Sequence, residues 1–189
     1  GEVDMTLRRS TKICLLLFLA LFSIFRVSQR GQIYDSRYTL LTSAQLIEHR
    51  NLQLDEFAPP PWGDGGSKQI RDPMPDHFEE SNGHIYNYFP VGTSVLAVPF
   101  VLGAKMLGTR VIEADGSYSR QGARRLQRAL AALLMAGLGC IFFLLAREFL
   151  SDRASVWAAL AGSLGTQVWS TASRSLWSHG FLIFFLGLC

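Results

Sequence analysis

The sequence predicts an all-α fold: a polytopic transmembrane helical bundle with a long first extracytoplasmic loop that carries amphipathic, interfacial helices. Three observations predict it. Apolar residues make up 49% of the 189 residues and cluster in blocks at 13–25, 89–107, 129–146, 154–172 and 181–189. Several of these approach the ~20 residues that a helix needs to cross the hydrocarbon core. Basic residues flank the blocks, with Arg8, Arg9 and Lys12 before the first of them. Between the first two blocks lies a long polar stretch rich in turn formers.

The first span is expected over about 13–28. A short apolar run after positive charge also fits a signal-peptide core, but no small-x-small cleavage pattern follows. Arg26 and Arg30 follow instead, and their stems can snorkel to the interface. An uncleaved span with a cytoplasmic N-terminus is expected, because cytoplasmic flanks are enriched in Lys and Arg.

The outer loop, 29–128, opens with QIYDSRYTLLTSAQLIEHRNLQLDEF at 32–57. Tyr38, Leu41, Ala44 and Ile47 recur at three-residue steps, which lays an apolar stripe on one helix face. Ser36 is the expected N-cap. The helix is expected to lie along the membrane surface and hold Asp35 at the membrane exit. A carboxylate fixed there can act as a general base or a charge anchor, or it can simply cap the helix.

Residues 52–87 contain Pro59, Pro60, Pro61, Gly63, Gly65 and Gly66, then Asp72, Asp76, His77, Glu79, Glu80 and His84. This reads as a solvated loop. Asp76 and His77 with the nearby glutamates are also a candidate divalent-ion site. Segment 89–107 follows an aromatic cluster, Tyr86, Tyr88 and Phe89, and is interrupted by Pro90, Gly92, Pro99 and Gly103. It reads either as a kinked span or as an interfacial segment. Residues 110–128 form a basic loop with Arg120, Arg124, Arg125 and Arg128. Spans are then expected at 129–146, 154–172 and, incomplete, 180–189.

Two topologies compete. If 89–107 spans, the basic loop is cytoplasmic, which the positive-inside rule favours. If it does not, 29–128 stays outside, 147–153 is cytoplasmic, and 173–179 emerges on the side of Asp35.

The net charge is +3, and no basic run interleaved with aromatics points to nucleic acid. Cys14, Cys140 and Cys189 lie in apolar blocks without CxxC spacing and read as small buried hydrophobes. The chain opens with Gly1 and stops inside an apolar run, so it is expected to be the N-terminal part of a longer protein.

The order of motifs resembles the GT-C class of membrane glycosyltransferases, most nearly the protein O-mannosyltransferase and aminoarabinose transferase group. The likeness covers nearly the whole chain in order and spacing. In that family a first span leads to an Asp-Glu pair and a helix; here the place is held by Asp35-Ser36 and the helix toward Arg50. An aromatic-Pro segment along the interface follows, here YNYFPVGTSVLAVP at 86–99, then an Arg-rich approach to an Ala/Leu-rich span, here ARRLQRALAALLMAGLGCIFFLLAREFL. The next span ends in a pattern like S-R-x-A-L-x-D, here SRSLWSH at 173–179. The chain departs in three places: Ser36 replaces the second acid, His179 stands in place of the last Asp, and no lysine precedes Pro90.

The resemblance implies sugar transfer from a polyprenyl-phosphate-linked donor to an extracytoplasmic protein, lipid or glycan at the bacterial inner membrane. It implies the second topology, and as partners the lipid-linked donor, the acceptor and membrane lipid. Asp35 suits the base. Arg174, Arg124, Arg125, His179 and His84 are candidates for donor-phosphate or acceptor binding, since guanidinium holds phosphate bidentately. No resident metal is assigned; a divalent ion is compatible with the sequence but not required by it. The alternative is a non-catalytic polytopic protein, either a scaffold or binding subunit or part of a transporter.

Overall fold

The computed structural model describes residues 2–27, 36–60, 68, 70 and 74–189. The chain is mostly helical: α1 Glu2–Val27, α2 Thr39–His49, α3 Val91–Met106, α4 Arg120–Arg147, α5 Asp152–Leu164 and α6 Ser178–Leu186. An antiparallel hairpin, β1 Phe78–Ser81 with β2 His84–Asn87, departs from the all-α expectation. Among the described residues two stretches are long and apolar enough to cross a membrane, Arg8–Val27 within α1 and the whole of α4. The chain divides into two units, one of Gly1–Gln32, Arg128–Ser175 and His179–Cys189, the other of Ile33–Gln127 and Leu176–Ser178.

In the first unit α1 buries Leu17, Leu21 and Phe25, which recur every four residues and so share a face. Leu15, Leu16 and Leu19 are exposed, so α1 is apolar on both sides, as a helix in lipid is. It runs antiparallel to α4. Ser10 meets the Arg147 guanidinium, the Cys140 thiol donates to the Cys14 carbonyl at 3.3 Å, and Leu21 packs on the bare Cα of Gly139. Asp152 ties the ends together. One carboxylate oxygen lies 2.9 Å from Arg9 Nε and the other 2.9 Å from Arg147 Nε. From there α5 runs toward the other end of α1, where Trp169 meets Phe25 with ring centroids 6.0 Å apart.

The expected span 154–172 is interrupted. α5 has 13 residues, about 20 Å of helix against the roughly 30 Å of a hydrocarbon core. The Thr166 hydroxyl donates to the Gly162 carbonyl at 2.6 Å and accepts from Val168 N at 3.2 Å. A side chain inserted into the backbone ladder breaks the helix there. A π-helical turn, Val168–Ala172, follows. α6 is likewise short, at 9 residues.

In the second unit the helix after the first span starts later than expected and is not a surface helix. α2 begins at Thr39 with Tyr38 as N-cap and no side-chain cap, and Thr39 through Gln45 are all buried. Ser36 lies in the preceding turn. Burial on every face is tolerated because the short polar groups close locally or on a neighbour. Thr42 Oγ1 donates to the Tyr38 carbonyl at 3.1 Å, and Ser43 Oγ to the carbonyls of Thr39 at 3.0 Å and Ser94 at 2.7 Å. The apolar stripe stands: Tyr38, Leu41 and Ala44 are buried and Ile47 half-buried.

The stretch read as a solvated loop contains the hairpin. Its two-residue turn is Asn82-Gly83, with φ of 54° and 78°, the left-handed pair that a type I′ turn requires. Asp55 pins it: Oδ1 accepts from Ile85 N at 2.6 Å and Oδ2 lies 2.8 Å from His84 Nδ1. The His77 ring is fully buried, edge-on to Tyr38 and Phe89, whereas Asp76 is exposed. The two side chains considered for a divalent ion therefore diverge. Among the described residues no group of three or more His, Cys, Asp or Glu side chains is placed to hold a metal ion.

Segment 89–107 forms α3, 16 residues with Pro99 inside, and packs against α2. The basic loop ends early, since residues 120–128 are already α4. Arg, Gln, Ala and Leu are strong helix formers. Gly122 is needed for close packing: a Cβ there would stand 1.9 Å from the Arg110 carbonyl oxygen.

Candidate functional site

The first turns of α4 place Arg120, Arg124 and Gln127 four and three residues apart, on one helix face. The buried Gln127 anchors the chain that follows Asp35. Its Nε2 donates to the Ser36 carbonyl, and its Oε1 accepts from the Ser36 hydroxyl at 3.5 Å. Arg37 and Tyr118 complete a recess of about 20 Å³ with Arg120, Arg124 and Gln127. The Arg37 side chain is held over the Tyr38 ring, its guanidinium carbon 5.7 Å from the centroid, and the residue is only 5% exposed. The Tyr118 hydroxyl donates to the Arg37 carbonyl at 3.0 Å.

The electrostatics of Tyr118 report the charge in this recess. Burial first, and then the neighbouring Tyr38, push the phenol well above its ordinary range, while Arg37, Arg120 and Arg124 pull it down. Three guanidiniums thus act on one half-buried tyrosine, whose phenol stays protonated as a neutral donor. A guanidinium binds phosphate as a bidentate fork. Several guanidiniums around one recess with a buried floor bring positive charge to one place.

The residues singled out in the sequence fall in different places. Asp35 lies outside the described residues; its neighbour Ser36 is fastened to Gln127. Arg124 lines the recess. Arg125, the next residue on α4, is exposed and is not among the lining residues. His84 is engaged with Asp55 and serves the hairpin.

In the first unit, Arg174 Nε donates to the Trp169 carbonyl at 3.2 Å, and its guanidinium carbon sits 5.4 Å from the Trp169 ring centroid. Since Trp169 meets Phe25, Arg174 stands at the end of α1 that carries Phe25. His179 is exposed in the first turn of α6.

Arg37, Tyr118 and Gln127 were not singled out from the sequence. The spacing of Arg120, Arg124 and Gln127 was a usable signal once 120–128 is read as helix. Nothing local marks Arg37 or Tyr118, which reach the recess only through tertiary folding. No known protein family, curated protein or solved structure matches this chain.

Proposed function

We propose that the chain is a GT-C-like glycosyltransferase component that moves a sugar from a polyprenyl-phosphate donor to an extracytoplasmic acceptor. The observation that carries this reading is the recess of Arg37, Tyr118, Arg120 and Arg124, joined through Gln127 to the residue next to Asp35. In the reaction an acceptor hydroxyl attacks the anomeric carbon, and the bond from that carbon to the phosphate oxygen breaks. The acceptor's proton passes to the Asp35 carboxylate. The leaving polyprenyl phosphate takes the electron pair and gains negative charge, which the guanidiniums stabilise.

The arrangement of the first unit supports the topology this chemistry needs. Asp152 joins the start of α1 to the end of α4, so the chain between α1 and α4 leaves and returns on one side if both helices cross. On this reading the Asp152 end is cytoplasmic, as the topology implied by the resemblance has it, although charge counting alone favours a cytoplasmic 110–128. Residues 29–128 then lie outside, at the inner membrane of a bacterium on this reading.

The test is sugar transfer from a polyprenyl-phosphate donor by the full-length protein in detergent. Asp35→Asn keeps the size and the capping ability and removes the basicity. Turnover is expected to fall by on the order of 10²–10⁴-fold with normal recovery of folded protein. Near-normal turnover would remove Asp35 from the mechanism. A second reading, a transporter segment, is favoured by the interruption of α5 at Thr166 and the π turn after it, because broken helices line substrate paths in transporters. Donor-dependent turnover separates the two.

A further inference from the structure

We infer that Cys14 and Cys140 form a paired-thiol site, which a low-molecular-weight disulfide oxidises to an intramolecular bridge tying α1 to α4. The two residues lie 126 apart in sequence and meet across the seam between the helices. The Cys140 thiol donates to the Cys14 carbonyl at 3.3 Å, and the two thiols are within hydrogen-bond reach of each other. Both are free thiols, and neither is fully buried. A cysteine that serves only as a small hydrophobe has no need of a second sulfur beside it. Two sulfurs placed together by helices from opposite ends of the chain have a chemistry that neither has alone.

The seam brings the two backbones close. A disulfide needs Cα atoms about 4.4–6.8 Å apart, whereas the axes of packed helices usually lie about 8–10 Å apart. Small residues at the contact let helices approach more closely. Ala132 and Ala136 continue the Cys140 face of α4 at four-residue steps and are fully buried. Gly139, next to Cys140, has no side chain, and a Cβ there would stand 2.2 Å from Leu21 Cδ1 and 2.8 Å from Ser163 Oγ. On α1 the facing residues are Ser10 and Cys14, one turn apart. Ser10 meets Arg147 at the charged end of the seam, so about 6 Å of helix separates Cys14 from that end.

The reaction is thiol–disulfide exchange. The thiolate of one cysteine attacks a sulfur of the added disulfide, RSSR. A mixed disulfide forms and one RS⁻ leaves, taking up a proton. The second cysteine's thiolate then attacks the mixed disulfide, displaces the other RS⁻ and closes the bridge. The protein is oxidised by the loss of two hydrogens, and RSSR is reduced to two RSH. Where the surrounding thiol pool is reduced the pair stays open, and it closes when that pool is oxidised. The site does not depend on glycosyl transfer and holds for a scaffold or transporter as well.

The experiment uses full-length protein in detergent, with Cys14 and Cys140 kept and every other cysteine, Cys189 included, replaced by Ser. It is treated with oxidised glutathione or, in parallel, with the lipid-soluble dithiodipyridine, then digested and analysed by mass spectrometry. The expected result is that the peptides carrying Cys14 and Cys140 are recovered joined. Free thiols fall from two to none, the monomer carries no lasting adduct, and dithiothreitol restores both thiols. Thiols that stay free with both oxidants, that end as two separate mixed disulfides, or that join two copies of the chain overturn the inference. A second variant moves the α1 thiol, combining Cys14→Ser with Leu16→Cys. Leu16 is 68% exposed, and helix residues two apart point about 200° apart. Bridging to Cys140 from there is expected to be slower by about tenfold or more, because the Cβ vectors no longer face each other. Equal rates from the two positions would mean chance collision of mobile helices and would also overturn the inference.

Discussion

Phe25 and Trp169 meet with ring centroids 6.0 Å apart at an angle of 37°, and this contact decides which end of the first unit Arg174 occupies. Trp169 carries the Arg174 guanidinium on its ring and accepts Arg174 Nε with its carbonyl. Phe25 lies in the penultimate position but one of α1. The opposite end is set just as firmly by Asp152, shared between Arg9 and Arg147. The two contacts give α1, α4 and α5 their directions: α1 and α5 run one way and α4 the other.

Those directions predict a labelling pattern. Ala114 and Ser151 are both exposed, so a cysteine at either is open to reagent when its side of the membrane is. With the native cysteines replaced, Ala114→Cys is expected to react with an impermeant thiol reagent on intact cells and Ser151→Cys only after the membrane is opened. The reverse pattern, or labelling of both on intact cells, rejects the arrangement.

Asp152 should matter more to stability than either arginine alone. The Arg9 side chain is 69% exposed, and exposed pairs contribute about 0–1 kcal/mol. Arg147 is mostly covered and bonds both Asp152 and Ser10. Asp152→Asn weakens both pairs and removes a negative charge from the first turn of α5, where the helix dipole favours one. A loss of about 1–2 kcal/mol is expected for Asp152→Asn and under ~1 kcal/mol for Arg9→Ala. Thermal unfolding in detergent measures both; equal effects would mean that the shared carboxylate is not the tie.

Tyr118 gives the second unit a signature at alkaline pH. Its folded-state pKa is raised, chiefly by burial, so the native state holds the phenolic proton more tightly than the unfolded chain does. That stability is fully present below the unfolded value, about 10 for tyrosine, and is lost as pH rises above it. The wild-type protein is therefore expected to lose stability above about pH 10 more steeply than Tyr118→Phe. At neutral pH the substitution costs about 1–2 kcal/mol, because the Arg37 carbonyl loses its donor. Denaturant unfolding across the alkaline range checks both points. Parallel slopes for the two proteins would remove Tyr118 as the cause.

The parts legible in the sequence were those set by local pattern. The spacing of Tyr38, Leu41 and Ala44 predicted α2, and the Ala/Leu-rich block predicted α4. What failed depended on tertiary partners or on single side chains. α2 reads as a surface helix because its apolar residues fall on one face just after the first span; it is buried on the others too because short polar groups can bond backbone, as Thr42 and Ser43 do. The block at 154–172 reads as a span because hydropathy does not register one hydroxyl, that of Thr166, entering the ladder. The Asn82-Gly83 pair is a hairpin signal present in the sequence that reading 52–87 as a solvated loop passes over. The recess was half legible: Arg124 by its basic neighbourhood, Arg37 and Tyr118 not at all.

Arg124 and Arg125 form an internal control for the recess. They are adjacent and equal in charge, yet only Arg124 lines it. Successive helix residues point about 100° apart, so a contact made by one is not available to the other. A general positive field would respond almost equally to removing either charge, and would fade with salt over roughly a Debye length of 10 Å at 0.1 M. A direct contact to the leaving phosphate responds to one alone. Arg124→Gln is expected to lower kcat/KM for the polyprenyl-phosphate donor by on the order of 10²-fold, the loss typical of one charge-stabilising donor. Arg125→Gln is expected to leave it close to the wild-type value. Measurements at low and high salt separate the two origins. Equal losses that shrink together as salt rises would reduce the recess to a diffuse basic surface, and the phosphate contact would have to be sought at Arg174 instead.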